Sequence, residues 1–212
     1  DDDYVIADEY QIRLATMDEL PEVVDVINAA FQEAYRHVRP VGVAPPRTTV
    51  EKVREQCNII GCNILMCEAA FGEKKEILGA LIFPSPHDDF PATQNNEDTL
   101  SFGSLAVKPT HQRRGLGRTL MSAVEHIAMT EGKSRLELCF AHGTKLSGSP
   151  KLLEFYTNLG YEQGLRRERK EWFDILPEFR GGLYFQQMVK TLERDVKTMA
   201  GGWVETAASS GE

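Results

Sequence analysis

Residues 112–117 (QRRGLG) combine two arginines and two glycines in one short segment, and these residue types suit the binding of a bulky anion. Glycine has no Cβ, so backbone N–H groups at Gly115 and Gly117 can approach an anion closely. The two arginines, with Arg118 just beyond, add full positive charges. The segment therefore predicts a diphosphate site, although an ordinary glycine-rich connection with exposed arginines also fits the hexapeptide alone.

The elements on either side position this turn. Pro109 ends a preceding strand, because proline cannot donate to a sheet. A long amphipathic helix follows, and its first turn points unpaired N–H groups and a partial positive charge back at the turn. Its apolar residues recur at helical spacing: Leu116, Leu120, Val124, Ile127 and Ala128.

The strand before the turn, residues 99–107, changes its alternation halfway. Its apolar residues keep a period of two on each side but shift by one residue between the pairs: Leu100, Phe102, Leu105 and Val107. One extra residue at Gly103-Ser104 explains the shift. We therefore predict a β-bulge there, whose unpaired backbone groups can bind a ligand.

Two other phosphate-binding motifs are excluded by single residues. A dinucleotide fingerprint needs a third glycine where Leu120 stands. A P-loop ending at Gly132-Lys133-Ser134 needs its first glycine where Ile127 stands.

Two motifs together resemble the GNAT superfamily of N-acyltransferases. Leu105-Ala106-Val107-x-Pro followed by Gln-x-x-Gly-x-Gly is similar to the acetyl-CoA-binding motif of that family. Residues 153–161 (LEFYTNLGY) are similar to its later helix, which carries a tyrosine before a Gly-aromatic pair. The motifs stand in the family's order with a strand-like segment between them. The resemblance covers about residues 10 to 192.

The resemblance implies an α/β fold with a mixed central sheet flanked by helices, in which two strands splay apart to admit a thioester. It implies acetyl-CoA as the acyl donor, a primary amine as the acceptor, and Tyr156 as the acid that protonates the leaving thiolate. A core tyrosine on the apolar face of its helix is the other interpretation of Tyr156. The residues implied to contact acetyl-CoA are Leu105, Ala106, Val107, Gln112, Arg113, Arg114, Gly115, Leu116, Gly117, Arg118, Thr119 and Ser149.

Several positions depart from the family's pattern. Many members carry a glutamate or histidine as general base on the bulged strand, where this chain has Ser101 and Gly103. Either a water chain or another group must then take the proton, and the predicted order brings three groups toward the cleft: Glu68, Asp98 and His142. Early in the last helix, Ser149 replaces an asparagine and Leu152 an alanine.

The composition is that of a globular chain, with 42% hydrophobic and 26% charged residues among 212, enough for one domain with a real core. The net charge of −8 argues against nucleic acid as a partner and favours a cationic amine. The longest apolar run, residues 77–83, is too short to span a membrane. We expect a single domain that acts as a monomer or homodimer.

Four cysteines lie in apolar segments, without a Cys-x-x-Cys pair or a histidine cluster: Cys57, Cys62, Cys67 and Cys139. This pattern predicts buried free thiols and no metal site. Free thiols are typical of a reducing compartment, so we expect a cytoplasmic protein.

Periodicity along the chain predicts the order βα-αββ-βαβ-αββ, with residues 1–9 and 193–212 outside the core. The first two helices carry capping-box sequences, Thr16 with Glu19 and Thr48 with Glu51. Residues 72–75 are predicted to form a hairpin turn.

Two polar segments are not assigned to the core. Residues 85–98 are either solvated surface or a loop on the substrate side that attracts an ammonium through Asp88 and Asp89. Residues 162–182 alternate basic and acidic side chains, which predicts a solvated segment.

Two functions from different classes fit these observations. One is an N-acetyltransferase that acts on a small-molecule or peptide amine, which Tyr156 and the intact glycine turn favour. The other is a non-catalytic acyl-CoA-binding or regulatory domain on the same fold, which the missing strand carboxylate favours. The fold alone does not decide between them, because function depends on the site.

Overall fold

The computed structural model describes residues 9–35, 46–71, 74–85, 97–143, 149–167 and 183–192. Short 3-10 turns lie at Met17–Glu19 and Pro109–His111. The strands and helices follow in the order β1 (Glu9–Leu14), α1 (Leu20–Tyr35), α2 (Val50–Ile60), β2 (Asn63–Phe71), β3 (Lys74–Phe83), β4 (Thr99–Ser101), β5 (Gly103–Val107), α3 (Leu116–Thr130), β6 (Arg135–Gly143), α4 (Ser149–Thr157), β7 (Glu162–Arg167) and β8 (Leu183–Thr191).

The strands form two four-stranded sheets, in the orders β1-β2-β3-β5 and β4-β6-β8-β7. Among the described pairings, β4 with β6 is parallel and the other five are antiparallel. The α/β architecture with mixed strand directions that the sequence predicts is therefore confirmed.

The predicted irregularity at Gly103-Ser104 is where the chain passes from one sheet to the other. β4 pairs with β6, and β5, one residue later, pairs with β3. Between the pairs Ile82↔Gly103 and Ala80↔Ala106, β5 advances by one residue more than β3 does, and Ser104 has a left-handed φ of 52°. The β-bulge is confirmed, and it also separates β5 from β6.

Helices cover both faces of the first sheet. The core cluster with α1 and α2 includes Ile27, Val53 and Ala106, and the cluster with α3 and α4 includes Val124 and Tyr156. The inward residues predicted for α3 are buried, with Ile127 partly so. Because α1 contacts β5 on one face and α3 contacts it on the other, β5 lies between the two helical layers.

Arg13 on β1 joins three elements through its guanidinium. It donates from Nη1 to Glu19 Oε2 (2.9 Å), at the start of α1, and from Nη2 to Glu68 Oε2 (2.8 Å) on β2. Lys75 on β3 donates to the second oxygen of Glu68 at 3.0 Å. Glu19 also accepts from the backbone N–H of Thr16 at 2.8 Å, which confirms the capping box predicted there.

We expect Glu19→Gln to lower the free energy of unfolding at pH 7 by about 1–2 kcal/mol, after allowance for partial solvent exposure. The hydrogen bond from Arg13 lowers the pKa of Glu19 from 4.5 to about 2. Since the folded pKa lies below the unfolded one, the carboxylate stabilises the fold fully above the unfolded pKa, and this contribution is lost as the pH falls toward 2. Urea unfolding at several pH values measures the difference.

The exposed neighbour Asp18 provides the control for this prediction. Asp18→Asn removes a carboxylate from the same turn without removing the contact to Arg13. A difference between wild type and Glu19→Gln that is as large at pH 2 as at pH 7 would contradict the assignment.

The second predicted capping box was wrong. The N-cap of α2 is Thr49, whose side chain accepts a hydrogen bond from the backbone N–H of Lys52 at 3.3 Å. Thr48 is held elsewhere, because its N–H and C=O both bond to the Asn28 amide at 3.1 Å. Asn28 on α1 thereby fixes the point where the connection from α1 enters α2.

Two segments that the sequence predicts as loops are partly strands in the structure. Lys74 and Lys75 belong to β3, so the predicted four-residue hairpin turn is too long, and its first two residues lie outside the described part. Residues 162–167 are exposed, as predicted, but they form β7 and pair with β8. The remainder of that segment, 168–182, lies outside the described residues.

Cys57, Cys62 and Cys67 are buried, Cys139 is half-buried, and all four are free thiols, as predicted. The Sγ atoms of Cys57 and Cys62 lie 2.8 Å apart, and burial raises the pKa of Cys62 to about 12. No helix in the described ranges is long and apolar enough to cross a membrane.

Candidate functional site

The predicted anion-binding turn is built by two left-handed residues directly before α3. Arg113 has φ 64° and Gly115 has φ 88°. Gly115 is the N-cap of α3, so the first N–H groups of the helix are left without partners inside it. A left-handed arginine is uncommon, because its Cβ crowds the backbone. The turn therefore holds a strained, open conformation at the positive end of a 15-residue helix.

Two residues predicted to contact acetyl-CoA hold the shape of this turn. Gln112 donates from Nε2 to the backbone oxygen of Val107 at 3.1 Å, which ties the turn to the end of β5. Thr119 donates from Oγ1 to the backbone oxygen of Gly115 at 3.3 Å. Both side chains therefore orient the backbone that surrounds the predicted anion.

The arginines of the segment point to solvent. Arg113, Arg114 and Arg118 are all exposed, so the site is positively charged on an otherwise acidic chain. Burial and then the positive charge of Arg114 lower the pKa of the neighbouring His111. The three arginines therefore make the exposed side of the turn positively charged.

A gap opens beside β5, because none of the described strand pairings joins β5 to β6. The backbone N–H of Lys108 donates to the backbone oxygen of Leu78 on β3. Along an antiparallel strand, every second residue forms its hydrogen bonds with the same neighbouring strand. The N–H groups of Leu105 and Val107 therefore face away from β3, into the gap. This is the splay that the family resemblance implied, and it presents backbone donors to which none of the described strands bonds.

Three elements meet at Gly117. A Cβ placed there would lie 3.7 Å from Phe155 Cζ on α4 and 3.9 Å from Val107 Cγ2 on β5, both ordinary contacts. The φ of Gly117 is not left-handed either, so neither backbone strain nor protein packing requires glycine at this position. A side-chain methyl group would fit at the start of α3, in contact with the last residue of β5 and with α4, and the glycine leaves that volume to another group.

Tyr156 lies on α4 with 4% of its surface exposed. Its ring contacts Phe140 on β6 at 5.6 Å between centroids, and Tyr161 at 6.0 Å. Burial raises the pKa of Tyr156, so the hydroxyl stays protonated at neutral pH. The residue belongs to the core cluster that also contains Leu116 of α3. This buried position fits both a core tyrosine and a catalytic acid, so the catalytic role of Tyr156 stays a prediction.

The two strand positions that lack a carboxylate do not supply a base. Ser101 donates its hydroxyl to the backbone oxygen of Ser85 at 2.8 Å, and Gly103 has no side chain. Ser149 is the first residue of α4, and its predicted contact to acetyl-CoA stays a prediction.

Two of the proposed substitute bases lie away from the gap. Glu68 is on β2, two strands from β5, and the cations of Arg13 and Lys75 occupy it, which lowers its pKa despite burial. Asp98 lies before β4, and its backbone oxygen accepts from the N–H of Arg135 at the start of β6. That end of the β4–β6 ladder is the one farther from the gap.

The third candidate, His142, lies near the end of β6 in a row of aromatic rings. Its ring centroid is 5.8 Å from that of Phe140 and 5.1 Å from that of Tyr184. Arg166 on β7 completes the row, with its guanidinium 4.9 Å from the Tyr184 centroid. This row extends along the face of β6 that carries Phe140, the ring in contact with Tyr156.

The predicted acidic pair Asp88 and Asp89 lies outside the described residues, as do residues 36–45 between α1 and α2. Within the described ranges, no group of three histidine, cysteine, aspartate or glutamate side chains could hold a metal ion.

The sequence model of the acetyltransferase (GNAT) family matches residues 28–161 of this chain. Among solved structures, the Salmonella typhimurium protein yncA with its cofactor acetyl-CoA is 18% identical, with 91% of this chain and 99% of that one covered and a TM-score of 0.56. An N-acetyltransferase from Staphylococcus aureus is 14% identical (87% and 99% covered, TM-score 0.59). A ribosomal-protein-alanine N-acetyltransferase from Brucella melitensis is 19% identical (86% and 99% covered, TM-score 0.55). No curated protein sequence gives a significant match.

Proposed function

The chain belongs to the GNAT family of acetyltransferases, and from this premise we propose that it transfers an acetyl group from acetyl-CoA to a primary amine by direct attack in a ternary complex. Gly117 carries the proposal. It is a glycine that neither strain nor packing requires, and it lies at a helix N-terminus beside strand N–H groups that face away from β3, so a ligand can approach the backbone at the position of the missing Cβ.

The residues present fit acetyl-CoA as a substrate. The first N–H groups of α3 and the exposed arginines, Arg113, Arg114 and Arg118, suit its diphosphate. The N–H groups of Leu105 and Val107 suit the amide and carbonyl oxygens of its arm, which we place in the gap beside β5. Gln112 and Thr119 act indirectly, because their hydrogen bonds fix the turn.

The proposed reaction needs positioning and proton transfer. Holding an amine and a thioester together removes much of the entropic cost of their encounter. A strand N–H can stabilise negative charge that develops on the thioester oxygen. Tyr156, kept protonated by burial, can protonate the leaving thiolate. These roles use backbone and side-chain groups of three neighbouring elements, β5, α3 and α4.

A non-catalytic acyl-CoA-binding domain is the alternative, and one observation favours it. Ser101 stands where a base is expected, and its hydroxyl is already bonded to the Ser85 carbonyl. A protein with the same turn and gap but without a base would bind acetyl-CoA and transfer nothing.

The acceptor class rests on charge alone. The net charge of −8 favours a cationic amine, either a small molecule or a peptide N-terminus. One similar structure is that of a ribosomal-protein-alanine N-acetyltransferase. At 19% identity, this similarity supports a shared fold and does not identify the acceptor.

Thiol release from acetyl-CoA, measured against polyamines, arylalkylamines, amino acids, aminoglycosides and peptide N-termini, tests the proposal. Calorimetric titration with acetyl-CoA runs beside it. We expect binding together with thiol release that depends on one class of amine. Binding without turnover on any amine would favour the regulatory domain, and an absence of binding would overturn both functions.

A further inference from the structure

Cys57 and Cys62 form a pair of thiols that the roles assigned above do not use. Cys57 lies in the last turn of α2, and Cys62 directly precedes β2. Both side chains are buried, and their Sγ atoms lie 2.8 Å apart. A disulfide bond is about 2.0 Å long, so the two sulfur atoms already lie close to bonding distance.

The way in which α2 ends brings the two thiols together. Gly61 follows the helix with a left-handed φ of 70°, and its N–H donates to the backbone oxygen of Cys57 at 3.0 Å. A left-handed residue at this position turns the chain back, so that the next residue packs against the last turn of the helix. Here the next residue is Cys62, and it meets Cys57.

The glycine serves this turn of the backbone and not the packing around it. A Cβ at Gly61 would meet no other atom within 4 Å, whereas the left-handed φ favours glycine. The contact between the thiols therefore follows from an ordinary helix cap in which both contacting residues are cysteines. Its signal in the sequence is Cys-x-x-x-Gly-Cys at residues 57–62.

The other two cysteines lie apart from this pair. Cys67 on β2 is five residues beyond Cys62, which corresponds to about 16 Å along a strand. It belongs to the core cluster with α3 and α4, whereas Cys57 and Cys62 belong to the cluster with α1 and α2. Cys139 is on β6 in the second sheet. Oxidation within one chain therefore favours one pairing.

We propose that Cys57 and Cys62 are a modification site, at which a small peroxide closes an intrachain disulfide that joins the end of α2 to the start of β2. This inference does not depend on the proposed acetyl transfer. In a reducing compartment the pair stays a dithiol, and exposure to peroxide converts it.

The oxidation balances with hydrogen peroxide as the oxidant. The Sγ of Cys57 attacks one peroxide oxygen, the O–O bond breaks, and a sulfenic acid and one water are formed. The Sγ of Cys62 then attacks the sulfenic sulfur, the S–S bond forms, and the S–O bond breaks with the release of a second water. Two thiols and one peroxide thus give one disulfide and two waters, and the two electrons pass from sulfur to oxygen.

Burial sets how readily the pair reacts. Burial and then the contact with Cys57 raise the pKa of Cys62 to about 12, so this thiol is protonated at neutral pH. Cys57 lies in a helical turn that can fray, so we assign the first attack to it. Reduction of the disulfide is expected to be slow, because a thiol with a high pKa is a poor leaving group in thiol–disulfide exchange.

The disulfide fastens the second end of α2. The first end is already held, because Thr48, just before the helix, bonds to the amide of Asn28. A covalent bond at the other end prevents the last turn from opening and also constrains the unfolded chain. We expect the oxidised protein to melt roughly 2–6 °C above the reduced protein.

Treatment of the full chain with hydrogen peroxide, followed by denaturation and alkylation of the remaining thiols, tests the proposal. Two of the four cysteines should escape alkylation. Trypsin releases residues 55–74 as one peptide, which contains Cys57, Cys62 and Cys67. In this peptide Cys67 alone should carry the alkyl group. The peptide should gain two hydrogens on reduction, and backbone fragments between Cys57 and Cys62 should appear only then.

Single substitutions assign the bond to the pair. Cys57→Ser and Cys62→Ser should each abolish both the protection from alkylation and the rise in melting temperature. Cys139→Ser is the matched control, because it removes a thiol from the other sheet and should leave both effects unchanged. Reduction of the oxidised wild type with dithiothreitol should restore four alkylated cysteines and the original melting temperature, a readout that requires no variant to fold.

Two results would overturn the proposal. One is full alkylation of Cys57 and Cys62 after a peroxide treatment that has already oxidised the half-buried Cys139. The other is sulfinic acid at Cys57 or Cys62 in place of the disulfide, which would mean that the neighbouring thiol does not reach the oxidised sulfur. Neither measurement uses acetyl-CoA, so the proposed function stands or fails separately by thiol release and titration.

Discussion

Replacing Gly117 with alanine is expected to leave the fold intact, or slightly more stable, while weakening the binding of acetyl-CoA by at least about tenfold, which is about 1.4 kcal/mol. The new methyl group meets only ordinary contacts, 3.7 Å from Phe155 and 3.9 Å from Val107. Alanine is also the better helix former, by up to about 1 kcal/mol. The same methyl group occupies the space that we assign to the ligand.

Calorimetric titration with acetyl-CoA and a thermal melt measure the two effects on one protein sample. Ser122→Ala is the matched control, because it improves helix propensity at an exposed position of the same helix, away from the turn. Both variants should melt at or above the wild-type temperature, and only Gly117→Ala should lose affinity. Equal affinities would mean that acetyl-CoA does not approach the start of α3.

The β-bulge could be predicted because it leaves a mark in the local sequence. Alternation of apolar residues is a property of one strand, and a shift of phase at Gly103 is visible without any partner. The transfer of the chain between two sheets is not visible in this way. It depends on which strands lie beside β4 and β5, and these strands come from distant parts of the chain.

The same reasoning missed the burial of Glu137, which lies on β6 with 2% of its surface exposed, for a physical reason. The alternation of Leu136, Leu138 and Phe140 identifies one buried face of β6, and an amphipathic strand usually exposes the other to solvent. In the structure both faces are covered, so the charged residue is buried as well. A glutamate between two leucines in a strand is the signal that could have indicated a buried charge on the second face.

Side chains from distant segments explain the other differences. Thr48 and Thr49 are equally good N-caps by type, and the bonds from Asn28 to Thr48 select Thr49. The exposed strand β7 has no alternation to reveal it, and part of its pairing comes from side chains. Gln187 Oε1 accepts from the N–H of Leu165 at 3.1 Å, and Gln186 Nε2 donates to the Gly164 oxygen at 3.2 Å.

Tyr156→Phe is expected to lower kcat by about 10²-fold while leaving the affinity for acetyl-CoA within about twofold of wild type. Burial keeps the hydroxyl protonated across neutral pH, so it can act as an acid toward a thiolate. No described side chain forms a hydrogen bond with this hydroxyl, so its removal should cost the fold little. Steady-state thiol release and calorimetry measure the two quantities.

Tyr161→Phe is the control that separates catalysis from packing. Tyr161 follows the same helix and is 1% exposed. Tyr161→Phe removes a tyrosine hydroxyl from the same core cluster as Tyr156→Phe does, so a packing effect of the hydroxyl would appear in both variants. Loss of turnover confined to Tyr156→Phe would identify the acid.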